Sequence, residues 1–95
     1  MAGWVYIVSN RPRGVLYTGV TSDLPRRAYE HRHGLVQGFT SRYKLTHLFY
    51  YEEHSEILSA IQREKNIKHW PRAWKVHLIE QLNPDWSDLY LSLNA

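Results

Sequence analysis

"WVYIVSNRPRGVLYTGV", Trp4 to Val20, is the stretch on which the fold turns. Its two ends are apolar and partly β-branched, and Pro12 and Gly14 between them supply turn chemistry, so the economical reading is a β-hairpin. Strand side chains alternate, so Trp4, Tyr6 and Val8 share one face, Val5 and Ile7 the other, and Tyr17 lies with Val15 and Gly19. Gly19 has no side chain and leaves room beside Tyr17. The two tyrosines are either amphipathic sheet residues with wet hydroxyls or phenols aimed at a shared site; the hairpin alone does not choose.

Downstream, Ser22 or Asp23 can cap a helix with Pro25 in its first turn and Gly34 at its end, which predicts helix over Leu24 to His33. Phe39 to Lys44 reads as a loop or a short turn of helix, and the aromatic run Leu48 to Glu52 as a third strand. Ser55 is the expected cap of the strongest helix, Glu56 to His69, broken at Trp70-Pro71, with a further helix from about Pro71 to Leu82. The order ββαβαα predicts an α+β fold: a small three-stranded, mainly antiparallel sheet flanked by helices.

A chain of 95 residues supports one modest core, so residues 1–95 are read as a single domain. With no cysteine there are neither disulfides nor thiolate metal sites. The start resembles no signal peptide, and no apolar run is long enough to span a membrane, so the cytoplasm is the expected location and no membrane partner is expected. The formal charge is only +3, but Arg11, Arg13, Arg26, Arg27 and Arg32 cluster early and Arg63, Lys65, Lys68, Arg72 and Lys75 later, while Asp85 and Asp88 lie near the end. That placement suits either a polyanion-binding face or merely a soluble surface.

Polar residues at apolar positions narrow the choice. Leu24, Ala28, His31 and Leu35 fall on one side of the first helix, so His31 shares its buried stripe, with Arg27 one turn earlier. On the long helix Glu64 falls among Ile57, Ala60, Ile61 and Ile67. A buried carboxylate needs a partner, and the candidates are Arg27, Lys68 one turn on, or a metal cation. An ordinary i,i+4 pair with Lys68 is the simplest of these.

Trp4-Val5-Tyr6 and Tyr17-Thr18-Gly19, with ten residues between the tyrosines, resemble the GIY-YIG endonuclease signature, with Trp-Val in place of Gly-Ile and Thr in place of the middle Ile. "GVTSDLPRRAYEH" is similar to the segment carrying that family's helix arginine and the histidine four residues later, and "AIQREKNIKHW" to the segment carrying its metal-binding glutamate. "GFTSRYK" and "NPDWSDLY" make the resemblance strongest to small standalone bacterial members, and it covers most of the chain.

The resemblance implies a divalent-metal-dependent DNA endonuclease with Tyr6, Tyr17, Arg27, His31 and Glu64 as catalytic residues. Glu64 would hold one Mg²⁺ or Mn²⁺, Tyr6 would take the proton from the attacking water, and nearby cations would lower its pKa for that task. Arg27 would bridge phosphate oxygens, Tyr17 and His31 would donate hydrogen bonds that position the phosphate or Tyr6, His31 could relay a proton, Asn83 would contact substrate or support the residues that do, and Tyr43 and Lys68 would contact substrate. Phe39, Tyr43 and Trp70 suit stacking on splayed bases, and the small domain has no room for a long sequence-reading appendage, so the expected substrate is single-stranded or branched DNA. The alternatives are a structure-specific nuclease subunit that needs a protein partner and a nucleic-acid-binding module that has lost turnover. The five catalytic residues are expected to converge on one concave, electropositive surface.

Overall fold

The computed structural model describes residues 1–93. Strands β1 (Gly3–Ser9) and β2 (Leu16–Thr21) form the hairpin, and β3 (His47–His54) pairs antiparallel with the other edge of β1, giving the order β2-β1-β3. The central strand is covered on both faces. Tyr6 and Val8 pack with Leu24 and Ala28 of α1 (Leu24–Arg32) and with Leu45 and Leu48. On the opposite face, Val5 packs with Ala60 and Ile67 of α3 (Ile57–Lys68), which follows α2 (Phe39–Arg42) and β3, and Ile7 packs with Ile79 of α4 (Arg72–Leu82). Each such apolar side chain contributes about 1.5–3 kcal/mol on burial, so β1 anchors both layers.

A bulge opposite Ile7 and Val8 breaks the alternation in β3. Leu48 joins the Tyr6 cluster, whereas Phe49 and Tyr50 both join Ile7, Ile79 and Trp86. The extra residue turns two neighbouring aromatics onto one face, which a period of two does not allow.

Several local expectations shift. The first helix ends at Arg32, so Leu35 lies beyond its stripe and is 61% exposed. Phe39 to Arg42 is helical, and β3 runs on to His54. Ser55 does not cap α3: the N-cap is Glu56 with no side-chain bond, and the Ile57 N–H donates to the Met1 carbonyl at 2.8 Å instead. A short α5 (Tyr90–Leu93) was not anticipated; Asp88 accepts hydrogen bonds from the N–H groups of Tyr90 and Leu48 and pairs with Arg32, tying the C-terminal segment to β3 and α1.

A second polar tie joins β3 to α3. The Glu52 carboxylate accepts from Tyr50 Oη at 2.6 Å and from Arg63 Nε at 3.1 Å, and pairs with His54 at 2.5 Å. Burial opposes its ionisation, but the hydrogen bonds from Tyr50, Arg63 and His54 outweigh that and hold the carboxyl below its usual range. Among the described residues, no helix is long and apolar enough to cross a membrane.

Candidate active site

The register across the hairpin sets Tyr6 opposite Gly19 and Val8 opposite Tyr17, so both phenols stand on the face covered by α1. Gly19 has a specific use here. A Cβ at that position would fall 2.6 Å from Tyr6 Cε2 and overlap the ring tip, so the missing side chain is the seat across which the phenol lies. The room at Gly19 thus serves Tyr6, not Tyr17.

At the end of that seat Tyr6 Oη lies 2.9 Å from His31 Nε2, with the rings edge to face at 5.3 Å. Both residues are buried, 4% and 3% exposed, because α1 presents Leu24, Ala28 and His31 inward. Asp23 sets the start of that helix by accepting from the Arg26 N–H. Tyr17 packs further out, its ring 6.1 Å from that of His31.

Arg27 lies one turn before His31 and pairs with Glu30 at 3.5 Å, with a side chain 39% exposed. It lines a polar cleft of about 210 Å³ with Thr21, Ser22, Asp23, Arg26 and Glu30. Because Arg27 has other work open to it in a loosely held surface pair, its guanidinium is available to an anion at little cost.

Glu64 comes from the other side. α3 packs against the opposite face of the sheet, yet Lys68 sits with its Nζ 5.5 Å from the centre of the Tyr17 ring. Since β2 is the sheet edge, Lys68 must reach around it. Lys68 Nζ in turn pairs with Glu64 Oε2 at 3.1 Å, and the Glu64 side chain is only 12% exposed. In this structure the carboxylate pairs with Lys68, and Arg27 pairs with Glu30.

The electrostatics follow from burial. Tyr6 is pushed well above the usual phenol range, mainly by desolvation, with the negative charges of Tyr17 (when ionised), Glu64 and Glu30 adding to it and Arg27 opposing. His31 is lowered to about 4 by burial and by Arg27, with Glu30 opposing. At neutral pH the pair is a neutral phenol against a neutral imidazole. Of the cations expected to lower the Tyr6 pKa, Arg27 does act in that direction, but desolvation outweighs it. Among the described residues His31 Nδ1 is buried without a hydrogen-bond partner, and Nε2 holds the ring to Tyr6.

Tyr6, Tyr17, Arg27, His31, Glu64 and Lys68 thus gather at the β2 edge, three elements contributing from one face and α3 from the other. Tyr43 joins them through Phe39: the Tyr17 and Phe39 rings are stacked at 6.4 Å, and the Phe39 and Tyr43 rings lie 4.7 Å apart. Two residues do not join. Asn83 is 5% exposed, and its amide donates to the carbonyls of Phe49 and Ser87 at 3.1 and 2.8 Å and accepts from the Ser87 N–H at 3.0 Å, which fastens the segment after α4 to β3. Trp70 packs with Val5 and Ile67 on the opposite face and lines a cleft of about 440 Å³ with Arg63, Trp74 and His77. The seat at Gly19 went unread in sequence, although the length of the hairpin turn carried the signal by setting which residues pair.

A single carboxylate with phenols nearby offers a hard cation few protein ligands. Among the described residues, no group of three or more His, Asp or Glu side chains could hold a metal ion. That donor set fits Mg²⁺ or Mn²⁺ bound through one or two carboxylate oxygens, with water and substrate oxygens completing the shell, and does not fit an all-protein cage.

Residues 2–77 match the family model described as the GIY-YIG catalytic domain. The chain is 35% identical over 78 residues to the UPF0213 proteins SA0446 and SAV0488 of Staphylococcus aureus strains N315 and Mu50, covering 82% of this chain and 94% of each relative. Its fold is similar to the solution NMR structure of the UPF0213 protein BH0048 from Bacillus halodurans, with a TM-score of 0.55, 24% identity and 93% of each chain covered. Asn83 lies beyond the matched family segment, whereas both tyrosines, Arg27, His31 and Glu64 lie within it. The chain belongs to the GIY-YIG family, a family of nucleases.

Proposed function

We propose that this protein is a divalent-metal-dependent endonuclease that hydrolyses phosphodiester bonds in DNA, acting on single-stranded or branched substrates. The buried Tyr6–His31 hydrogen bond, set beside Arg27 and within the field of Glu64, is the observation that supports this reading best.

The chemistry requires a deprotonated water, charge neutralisation at phosphorus and an oriented phosphate. A phenol held neutral by burial cannot wait as phenolate, so Tyr6 accepts the water proton only as its own proton passes to His31 Nε2. His31 is a weak acceptor in the free protein, with its pKa lowered to about 4. The negative charge of a bound phosphate favours the imidazolium and brings the dyad into use when substrate is present. Arg27 exchanges Glu30 for non-bridging phosphate oxygens, which its forked geometry and permanent charge suit. The Tyr17 hydroxyl and Lys68 ammonium orient the same phosphate from the β2 edge.

Glu64 would hold the cation, with Lys68 releasing the carboxylate to it. When bound, the cation would supply Lewis-acid stabilisation of the charge developing on the phosphate.

The test is cleavage of end-labelled single-stranded, duplex and branched DNA with Mg²⁺, with Mn²⁺ and with EDTA, comparing wild type with Glu64→Ala and Arg27→Ala. Cutting that needs the metal and drops at least about 100-fold in both variants is expected, since each removes charge stabilisation in the transition state. Absence of cutting on every substrate, or cutting that persists in Glu64→Ala, would sink the proposal.

A further inference from the structure

The segment between α1 and β3 has an unusual surface. From His33 to Thr46 it contains no aspartate or glutamate, while Arg42 and Lys44 lie within it. In its middle, α2 is pinned inward by Thr40 and the following Leu45, 4% and 0% exposed. Phe39 and Tyr43, spaced i,i+4, consequently share the outward side and remain 46% and 48% exposed. Gly38 makes this placement possible. Its φ of 98° and ψ of −138° are accessible essentially to glycine alone, and that turn sets the start of α2.

The two exposed rings continue directly from the active site. Tyr17 stacks on Phe39 at an interplanar angle of 27°, Phe39 packs against Tyr43, and Lys68 lies over the Tyr17 ring. Arg42 and Lys44 flank the row and, among the described residues, make no salt bridge. Exposed aromatics alternating with unpaired cations are what a nucleic-acid strand with splayed bases needs, because the rings take base faces and the cations take phosphates. A peptide partner of acidic character would use the charges but gains nothing from a row of rings in series.

We propose that Phe39 and Tyr43, continuing outward from Tyr17, form a stacking track for the unpaired bases flanking the scissile phosphate, with Arg42 and Lys44 on the backbone. This deepens the nuclease reading and rests on it for the position of the phosphate. Bases in a duplex are stacked on one another and cannot lie on the track. Selection for unpaired strands therefore originates at Phe39 and Tyr43, and it tolerates sequence because every base has a π face.

The test separates binding from cutting. Anisotropy of a labelled mixed-sequence DNA oligonucleotide is measured in EDTA as a single strand, as a duplex, and as a single strand abasic over its central residues. The proteins are wild type, Phe39→Ala, Tyr43→Ala, the double variant and the ring-preserving Tyr43→Phe. Each alanine should weaken single-strand binding about 5- to 100-fold, the range for losing one stacked base. Tyr43→Phe should bind like wild type, and the abasic strand should bind weakly and be indifferent to all substitutions. Equal single-strand affinity in the double variant, or equal losses on duplex and abasic probes, overturns the track. So does a wild-type self-association by sedimentation that Phe39→Ala abolishes, because the rings are then an interface between copies.

Failure of the two readings would look different. Strong ring-dependent binding without metal-dependent cutting leaves the track standing and removes the nuclease; cutting that ignores both rings does the reverse.

Discussion

Replacing Gly19 with alanine should displace the Tyr6 phenol and disable the site while leaving the sheet paired. Gly19 is buried opposite Tyr6, and the new Cβ would lie 2.6 Å from Tyr6 Cε2 and nearer still to the ring tip, where 3.4–4 Å is ordinary contact. The ring tip must therefore move by about 1 Å, the shortfall against ordinary contact. Its way is blocked by Val8, Leu24, Ala28, Leu45 and Leu48, none more than 4% exposed. Overpacking of this kind costs about 1–3 kcal/mol, and the buried hydroxyl loses its partner at the same time. A misplacement of about 1 Å in a reacting group is worth about 100-fold in rate. Urea denaturation measures the first effect and the cleavage rate of folded protein the second. Adding Tyr6→Phe should relieve part of the strain by removing the atom that overlaps most, so the double variant should be more stable than the sum of the singles. A Gly19→Ala protein that unfolds at the wild-type urea midpoint and cuts at the wild-type rate would refute the seat.

Acid should weaken the fold through His31, whose pKa is about 4 in the folded protein against 6.5 for an unperturbed imidazole. The unfolded chain takes up this proton first, so the stability is complete above about pH 6.5 and falls by about 3 kcal/mol as pH drops to about 4. Urea midpoints across that range should show a shallower fall in His31→Gln, and an unchanged slope would contradict the assignment. Asn83→Ala should cost about 2–3 kcal/mol, because it strips two carbonyls and an N–H of their partner, while cleavage per folded molecule changes less than about threefold. A large loss of rate in a fully folded Asn83→Ala protein would instead return that residue to the substrate. Arg63→Ala should lower stability by about 0.5–1 kcal/mol, discounted because the pair is partly exposed, with Glu52 left to Tyr50 and His54; an unchanged thermal midpoint would show the tie to be idle.

What was legible in the sequence was what backbone periodicity dictates locally. Alternation and turn chemistry gave the hairpin, and i,i+4 spacing gave Arg27 beside His31, Glu64 beside Lys68, and His31 inside the stripe. All of these depend on separations of a few residues, which helix and strand geometry fix. Cap and end positions were less secure, since the start of α3 is tied by the distant Met1 carbonyl, and the bulge in β3 moved Phe49 and Tyr50 onto one face. The pairing of Glu64 was left open until α3 was seen to lie across the β2 edge, and Trp70 and Asn83 could not be sorted from Tyr43 by residue type. Only the tertiary structure laid the Tyr6 ring over Gly19, buried Asn83 in backbone contacts and left Phe39 and Tyr43 facing water. Those outcomes depend on which surfaces meet across the sheet, and burial, which sets the pKa of Tyr6 and His31 and the worth of every ring, exists only once they have met.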